Sequence, residues 1–429
     1  MSTVTEQHML IFTDIDNNNN KFWEGVLKDD NTLTCRWGRV GERGQSRDFS
    51  GGAKKLAAKL REKKRKGYEE AMILKETGPA VSVGKSRLKK VAAKQIDHGS
   101  CAETSTLIEF LVKVNRHQIS AASGGKIFID DDDGLIRTPL GVVNQEAIDA
   151  ARIFLTDIGD CVQVKSYTTK KWKEAVNKFT RLIPQDVGRG RGWDKKLFPN
   201  ISAVRKQNDL LDSLQTTLTH VLDNPAKTKA DAKEEDVFKV KLVPLTDDKV
   251  LSHIRSFYYK SVKKMHSSYG MKISRAWVVD IETMRKKYET DGAGLSNVWE
   301  LWHGTKASNV LSILKGGLVI PPSTAGHVCG RMFGDGLYFS DQSTKSLNYA
   351  TGYWDGSSEE RCFMFMSDVA MGETYVPKST YWGQSNTKSC PKGYDSTFAK
   401  ANVSGVQNNE MIVYRTSQAN LRFLVEFVR

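Results

Sequence analysis

Two stretches without hydrophobic periodicity interrupt this chain, and they constrain its fold more than any other feature. Residues 76–99 mix Gly, Pro, Ser and Lys, and residues 223–236 read DNPAKTKADAKEED. Before the first stretch, short runs have strand character. Between the two, apolar residues recur at helical spacing, and after the second the strand runs return. At 429 residues the chain exceeds one ordinary core. Two to four domains are therefore expected, and the pattern points to three.

In the first segment Met9–Thr13, Lys21–Lys28 and Thr32–Val40 are predicted strands, separated by the turn formers of 14–20 and 29–31. A helix is predicted from Gly52 to about Lys75, with Leu56, Leu60, Tyr68 and Met72 facing inward. Trp37-Gly38-Arg39 lies on the third strand, where Trp37 offers a stacking face and Arg39 a fork suited to phosphate. The formal charge is +14, and residues 52–94 alone hold fourteen Lys/Arg against four Glu, a net +10. Such a concentration suits a polyanion, and equally a solvated helix face or an import signal at Lys63–Lys66.

The middle segment is helical. Ile148, Ala151, Leu155 and Ile158 keep a 3-4-3 spacing, as do Leu211, Leu214, Leu218 and Val221. Asp130–Asp133, followed by Gly134, is either a solvated acidic loop or a cation site. In the last segment seven strands are predicted, from 237–244 to 421–428, with a helix at 247–264. No Gly-x-Gly-x-x-Gly joins a strand to a helix there, and Walker and zinc-protease signatures are absent. The expected fold class is α+β multidomain: a small α/β domain, an all-α bundle, and an α+β domain on a mixed or antiparallel sheet.

Six cysteines (35, 101, 161, 329, 362 and 390) stand far apart, with no C-x-x-C pair. They suggest reduced thiols and neither a disulfide framework nor a zinc finger. No apolar run is long enough for a membrane span, and the first residues lack a signal-peptide layout. An intracellular protein without membrane association is expected.

Chemistry concentrates in two short runs of the last segment, Trp302-His303-Gly304-Thr305 and Gly336-Leu337-Tyr338-Phe339-Ser340. His303 brings a donor and an acceptor, Gly304 permits close backbone approach, and Tyr338 brings an aromatic face. Together they read as walls of a cleft for a flat, polar-edged ring; a His-Gly pair alone fits a strand-end turn equally well.

Three blocks resemble one family. RWGRVGERGQ, preceded by Asn20-Lys21-Phe22-Trp23, looks like a WGR domain (1–78). A basic linker (79–100) follows. Thr138-Pro139-Leu140-Gly141 and the run 179–186 (FTRLIPQD) resemble the helical regulatory domain (101–225) of the DNA-dependent poly(ADP-ribose) polymerases, which carry no zinc finger in their short form. Leu301–Thr305, Gly334–Asp341, Thr344–Tyr349 and Asn409–Tyr414 resemble the ADP-ribosyltransferase domain (226–429), with His303, Tyr338 and Glu410 at the positions of its His-Tyr-Glu triad.

The resemblance implies an NAD+ ADP-ribosyltransferase that needs no metal. NAD+ as substrate would meet His303, Gly304, Thr305, Asn309, Tyr338, Ser346 and Tyr349. Glu410 would carry the chemistry with His303, Tyr338 and Lys345, and Met332 would lie on the acceptor side. Trp37, Gly38 and Arg39 would bind DNA with strand breaks. Protein acceptors would include the enzyme itself, and the bundle would gate NAD access. The site would be nuclear in a eukaryote and cytoplasmic otherwise. A Glu at the third triad position favours polymer formation; a mono-ADP-ribosyltransferase and a silent DNA-end-binding scaffold are the alternatives. Val319 stands where several members carry Arg, which would remove one adenosine contact.

Overall fold

The computed structural model describes residues 2–73, 92–122, 127–129, 136–222, 238–320, 332–353, 359, 361–379 and 390–429. The acidic tetrad Asp130–Asp133, the stretch 223–236, Cys329 and residues 74–91 of the basic linker lie outside the described residues. The rest forms two compact units, one from residues 1–85 and 117–226, the other mainly from 86–116, 227–323 and 329–429.

In the first unit, β1 (Val4–Asp14), β2 (Asn19–Lys28), β3 (Leu33–Arg39), β4 (Gln45–Phe49) and β5 (Glu69–Glu70) form an antiparallel sheet of order β4-β3-β2-β1-β5. Alternation assigns Leu10 and Trp23 to one face, and Met9, Ile11 and Phe22 to the other. Both faces are apolar because both are covered. Leu56 of α1 (Gly52–Arg65) packs on the first, and Leu140 on the second.

The helix predicted to reach Lys75 stops ten residues earlier. Gly67 adopts φ +82, a left-handed conformation that ends a helix, and the chain turns back as β5 against Leu10 and Ile11. Tyr68 and Met72 still pack inward, but from this returning segment. Strand β4 was not anticipated, because its residues QSRDF are almost wholly exposed and carry no apolar alternation.

Beyond α1, the described residues of this unit form the helices α3 (Gln145–Gln163), α4 (Lys170–Leu182), α5 (Trp193–Leu197) and α6 (Ile201–Leu222). Side chains cap the first two: Asn144 accepts from Ala147 N, and Thr169 accepts from Trp172 N. Ile148, Ala151, Leu155 and Ile158 are buried as the spacing predicts, packed with Trp172, Val176, Phe179, Leu211 and Leu214. A short hairpin of β6 (Phe128–Ile129) and β7 (Ile136–Arg137) accompanies them. The long helix α2 (Ala102–Ala122), expected within this bundle, belongs through residue 116 to the second unit.

The second unit holds two sheets. Strands β8 (Val240–Pro244), β9 (Lys272–Ile281), β10 (Val298–Thr305), β12 (Arg361–Ala370) and β16 (Ala419–Val428) form an antiparallel sheet of order β10-β12-β16-β9-β8. The smaller mixed sheet has the order β11-β15-β14-β13, from β11 (Leu337–Phe339), β13 (Thr374–Tyr375), β14 (Ser396–Ala399) and β15 (Glu410–Val413). A double hydrogen bond between Trp302 and Ser340 (2.9 and 3.0 Å) ties edge strand β10 to β11. Among the described residues the α-helices α7 (Asp248–Lys260), α8 (Glu282–Lys287), α9 (Ala307–Gly316) and α10 (Ser343–Leu347) flank these sheets. The first part of α2 is held by β9 and α9: Trp277 Nε1 donates to Thr104 Oγ1 at 3.1 Å, and Asn115 Nδ2 donates to the Ser308 carbonyl at 2.7 Å. The fold is α+β, with the antiparallel and mixed sheets expected.

Candidate active site

The junction between the two sheets gathers the residues singled out in the last segment. Edge strand β10 delivers His303 and Gly304, β11 delivers Tyr338, α10 delivers Lys345 and Ser346, and β15 begins at Glu410. Strands β11 and β15 are neighbours, with Tyr338 opposite Ile412 and Phe339 opposite Met411. The Trp302–Ser340 bridge then sets β10 beside them. Tyr338 and Ile412, 74 positions apart, thus meet through strand pairing.

His303 Nδ1 lies 3.0 Å from the Tyr338 carbonyl, which only accepts, so Nδ1 carries the proton and Nε2 remains an acceptor. Burial pushes the imidazole pKa below its ordinary value, and the bond to Tyr338 opposes that shift less strongly. The neutral tautomer is the one suited to accept from a hydroxyl.

Gly304 abuts α10. A Cβ there would lie 1.7 Å from the Ser346 carbonyl oxygen, so the contact excludes every other residue. The expected reason for Gly304 was close approach of a ligand; the approach seen is that of α10. Ser346 Oγ donates to the Trp302 carbonyl at 3.3 Å, so its hydroxyl is engaged by β10. The Tyr338 hydroxyl donates to the Gly334 carbonyl (2.8 Å) and accepts from Phe333 N (2.9 Å), which fixes the loop ahead of β11.

Lys345 Nζ and Glu410 Oε1 are 3.0 Å apart, with side chains only 12% and 14% exposed. This is a carboxylate held near a cation at the mouth of two strands. Lys345 also stands over the Tyr349 ring at 5.8 Å. Thr305 is buried, Asn309 is exposed on α9, Met332 is partly exposed ahead of buried Phe333, and Val319 projects into solvent. Two polar residues carry no mark of their own in the sequence, His266 and Asn408; with Thr344 of the Thr344–Tyr349 block they form a hydrogen-bonded cluster beside Lys345 and Glu410, in which His266 and Thr344 are buried and Asn408 partly so. Asn408 directly precedes the Asn409–Glu410 pair; nothing comparable marks His266. Among the described residues, no group of three or more His, Cys, Asp or Glu side chains is arranged to hold a metal. No described helix is long and apolar enough to cross a membrane.

In the first unit, Arg39 does not present its guanidinium as a free fork. Nε donates to the Gly188 carbonyl and Nη1 to the Asn18 carbonyl at 2.9 Å. Trp37 lies opposite Trp23 and packs partly into the sheet core, and Gly38 lets Gly44 pass against the strand. Exposed cations of this unit include Lys21, paired opposite Arg39 on β2, Arg43 and Arg47 around β4, and Lys54, Arg61, Lys64 and Arg65 of α1. The expected DNA-contact residues Trp37 and Arg39 are thus engaged within their own unit.

Comparison with known proteins gives three family matches in chain order. The WGR domain matches residues 6–74, the poly(ADP-ribose) polymerase regulatory domain 130–238, and the poly(ADP-ribose) polymerase catalytic domain 251–428. A poly [ADP-ribose] polymerase of Sarcophaga peregrina is 26% identical over 330 residues, covering 70% of this chain and 32% of that protein. The chain therefore spans about a third of that relative's length. Poly [ADP-ribose] polymerase 2 of Homo sapiens is 23% identical over 477 residues, covering 97% of this chain and 78% of the relative. A poly [ADP-ribose] polymerase-like protein of Invertebrate iridescent virus 6 is 37% identical over 134 residues, 30% of this chain and 70% of the viral protein. With the three domain matches in order along one chain, and a viral relative matched over most of its length, this chain belongs to the poly(ADP-ribose) polymerase family.

Proposed function

We propose that the chain transfers ADP-ribose from NAD+ to protein acceptors, itself included, and to growing ADP-ribose chains, and that DNA strand breaks raise its rate. The observation that carries this reading is the Lys345–Glu410 pair, held at the junction where His303 and Tyr338 converge. In the reaction the bond from ribose C1′ to the nicotinamide nitrogen breaks, and nicotinamide leaves with the electron pair. An acceptor hydroxyl bonds to C1′ and gives up its proton. The transition state resembles the oxocarbenium of glycoside hydrolysis.

Each residue has a role suited to its surroundings. His303 Nε2, kept neutral, accepts from a ribose hydroxyl at the adenosine end. Tyr338 and Tyr349 flank the nicotinamide ring, while Gly304 offers backbone groups to its carboxamide, with Ser346 once its hydroxyl turns from Trp302. Thr305 and Asn309 line the approach. Glu410 faces the developing positive charge and receives the acceptor proton; its charge at about 5 Å in an effective dielectric near 20 is worth roughly 3 kcal/mol. Lys345 holds that carboxylate in place, and Met332 borders the acceptor. DNA would be met by the first unit, with phosphate contacts falling to exposed cations such as Lys21, Arg43, Arg47 and those of α1, because two Arg39 N–H groups are already given to carbonyls.

One experiment tests this reading and its rivals. The protein is incubated with labelled NAD+, with and without nicked duplex, and resolved on a denaturing gel. Ladders that lengthen with DNA are expected. A single discrete increment would replace polymerase with mono-transferase, and DNA binding without incorporation would leave a scaffold. Glu410→Gln should still bind NAD+ yet form no chains, and unchanged long ladders would remove Glu410 from its assigned role.

A further inference from the structure

We propose that His266 is a positioning residue for the transfer step, setting the Lys345–Glu410 pair through Thr344 and Asn408; this rests on the role given to Glu410 above. The segment between α7 and β9 looks like a connection, yet it grips α10. Lys263 N donates to Thr344 Oγ1 at 2.9 Å, Ser268 Oγ donates to the Thr344 carbonyl at 2.7 Å, and Ser267 Oγ and Ser268 N both donate to Asn348 Oδ1 at 3.0 Å. Ser343 N, in turn, donates to Ser261 Oγ at 3.0 Å.

His266 sits inside this grip, 8% exposed. Its Nδ1 is 2.8 Å from Thr344 Oγ1, and its Nε2 is 3.2 Å from Asn408 Nδ2. Lys263 Nζ donates to Asn408 Oδ1 at 3.1 Å, which fixes the amide orientation and turns its NH2 group toward the imidazole. Nε2 must therefore accept, and Nδ1–H must donate to Thr344. Burial and the nearby ammonium groups of Lys263 and Lys345 push the His266 pKa down, which agrees with this neutral tautomer.

One ring thus joins two elements that have no covalent proximity. Thr344 is the neighbour of Lys345 on α10, and Asn408 stands two residues before Glu410. Asn408 lies in the bend that leads through Asn409 into β15, so displacing it shifts the backbone where Glu410 begins that strand. The far side of Asn409 is held too, with Nδ2 donating to Asp341 Oδ2 at 2.8 Å and its carbonyl accepting from Ser340 Oγ at 2.7 Å. His266 completes the brace from the α10 side. Its ring bonds go to Thr344 and Asn408, one residue from Lys345 and two from Glu410.

The test compares His266→Ala and His266→Gln in the full chain. An amide side chain can also donate and accept across a short span, so Gln serves as the conservative variant. For His266→Ala, kcat for nicotinamide release should fall about tenfold to a hundredfold, the range for reacting groups displaced by up to 1 Å, while KM for NAD+ stays within about threefold. His266→Gln should recover most of the loss. Independently of turnover, acylation of Lys345 read by mass spectrometry should rise in His266→Ala and return toward wild type in His266→Gln, since a displaced Glu410 uncovers the ammonium. Unchanged kcat and unchanged Lys345 labelling in a folded His266→Ala protein would overturn the proposal. So would a joint loss of kcat, KM and melting temperature that Gln does not rescue, the mark of a merely structural residue. A wild-type protein that consumes no NAD+ would instead defeat the transferase reading, and the labelling arm would still decide this one.

Discussion

Gly304→Ala is the sharpest perturbation of the candidate site, because its size can be read from the structure. The added Cβ would lie 1.7 Å from the Ser346 carbonyl oxygen and 2.6 Å from the Ser346 carbonyl carbon. To reach even 3.0 Å, β10 and α10 must part by about 1.3 Å. Neither backbone yields easily. Gly304 is paired with Met364 on β12, the preceding Trp302 is bridged to Ser340, and α10 is gripped by Ser261 and Ser268. Overpacking of this kind costs about 1–3 kcal/mol. For a unit of this size, that lowers the melting temperature by roughly 2–12 °C. A displacement near 1 Å between His303 and Ser346 should also reduce kcat/KM for NAD+ about a hundredfold, close to 2.7 kcal/mol in the barrier. Gly316→Ala supplies the control. Nothing lies within 4 Å of its Cβ position at the end of α9, and in a helix the exchange should be neutral or stabilising by about 0.5–1 kcal/mol. The assays are thermal unfolding and steady-state nicotinamide release. A Gly304→Ala protein within twofold of wild type in kcat/KM (about 0.4 kcal/mol), with an unshifted melting curve, would refute the steric reasoning.

Two further outcomes follow from the geometry. His303 and His266 both have folded pKa values lowered from 6.5, so between those values and 6.5 the unfolded chain binds more protons than the folded one. Their contribution to stability is complete above the unfolded value and is lost as pH falls toward the folded ones, at most about 1.4 kcal/mol per pH unit for each. The melting temperature should fall on acidification below pH 6.5, and the acid limb of kcat/KM should have its midpoint below 6.5; a midpoint above it would contradict a neutral His303. Arg39→Ala should destabilise the first unit by about 1–3 kcal/mol through loss of the bonds to Gly188 and Asn18, and should leave the salt dependence of DNA binding unchanged. A salt slope reduced by about one, with an unaltered melting curve, would instead make Arg39 a phosphate contact.

What the sequence revealed and what it hid divide along the range of the interactions concerned. The α3 stripe of Ile148, Ala151, Leu155 and Ile158 was readable because a helix face is written in residues three and four apart. Strands β10, β12 and β16 were readable as apolar runs for the same local reason. Strand β14 was not: Ser396–Ala399 has one aromatic residue in a polar region, and only pairing with β15 makes it a strand. The end of α1 was marked by Gly67, but a glycine after a basic run reads equally as a tolerated helix interior until its φ of +82 is known.

The same division runs through the functional residues. His303, Gly304, Tyr338 and Glu410 stood out by residue type and by family resemblance, whereas their protonation and their partners were decided elsewhere. The tautomer of His303 depends on a carbonyl 35 residues away, and that of His266 on groups 78 and 142 residues away. Arg39 shows how far this can redirect an inference. Its forked guanidinium suits a phosphate, and a local reading stops there; the carbonyl that takes its Nε–H is 149 residues further along. With Nε–H and one Nη1–H given to two carbonyls, this arginine would have to break the Gly188 bond to grip a phosphate through its Nε edge. Any role of Arg39 in a response to DNA would then work through the Gly188 segment that precedes α5, and its signature would be a change in coupling with no change in the count of phosphates neutralised.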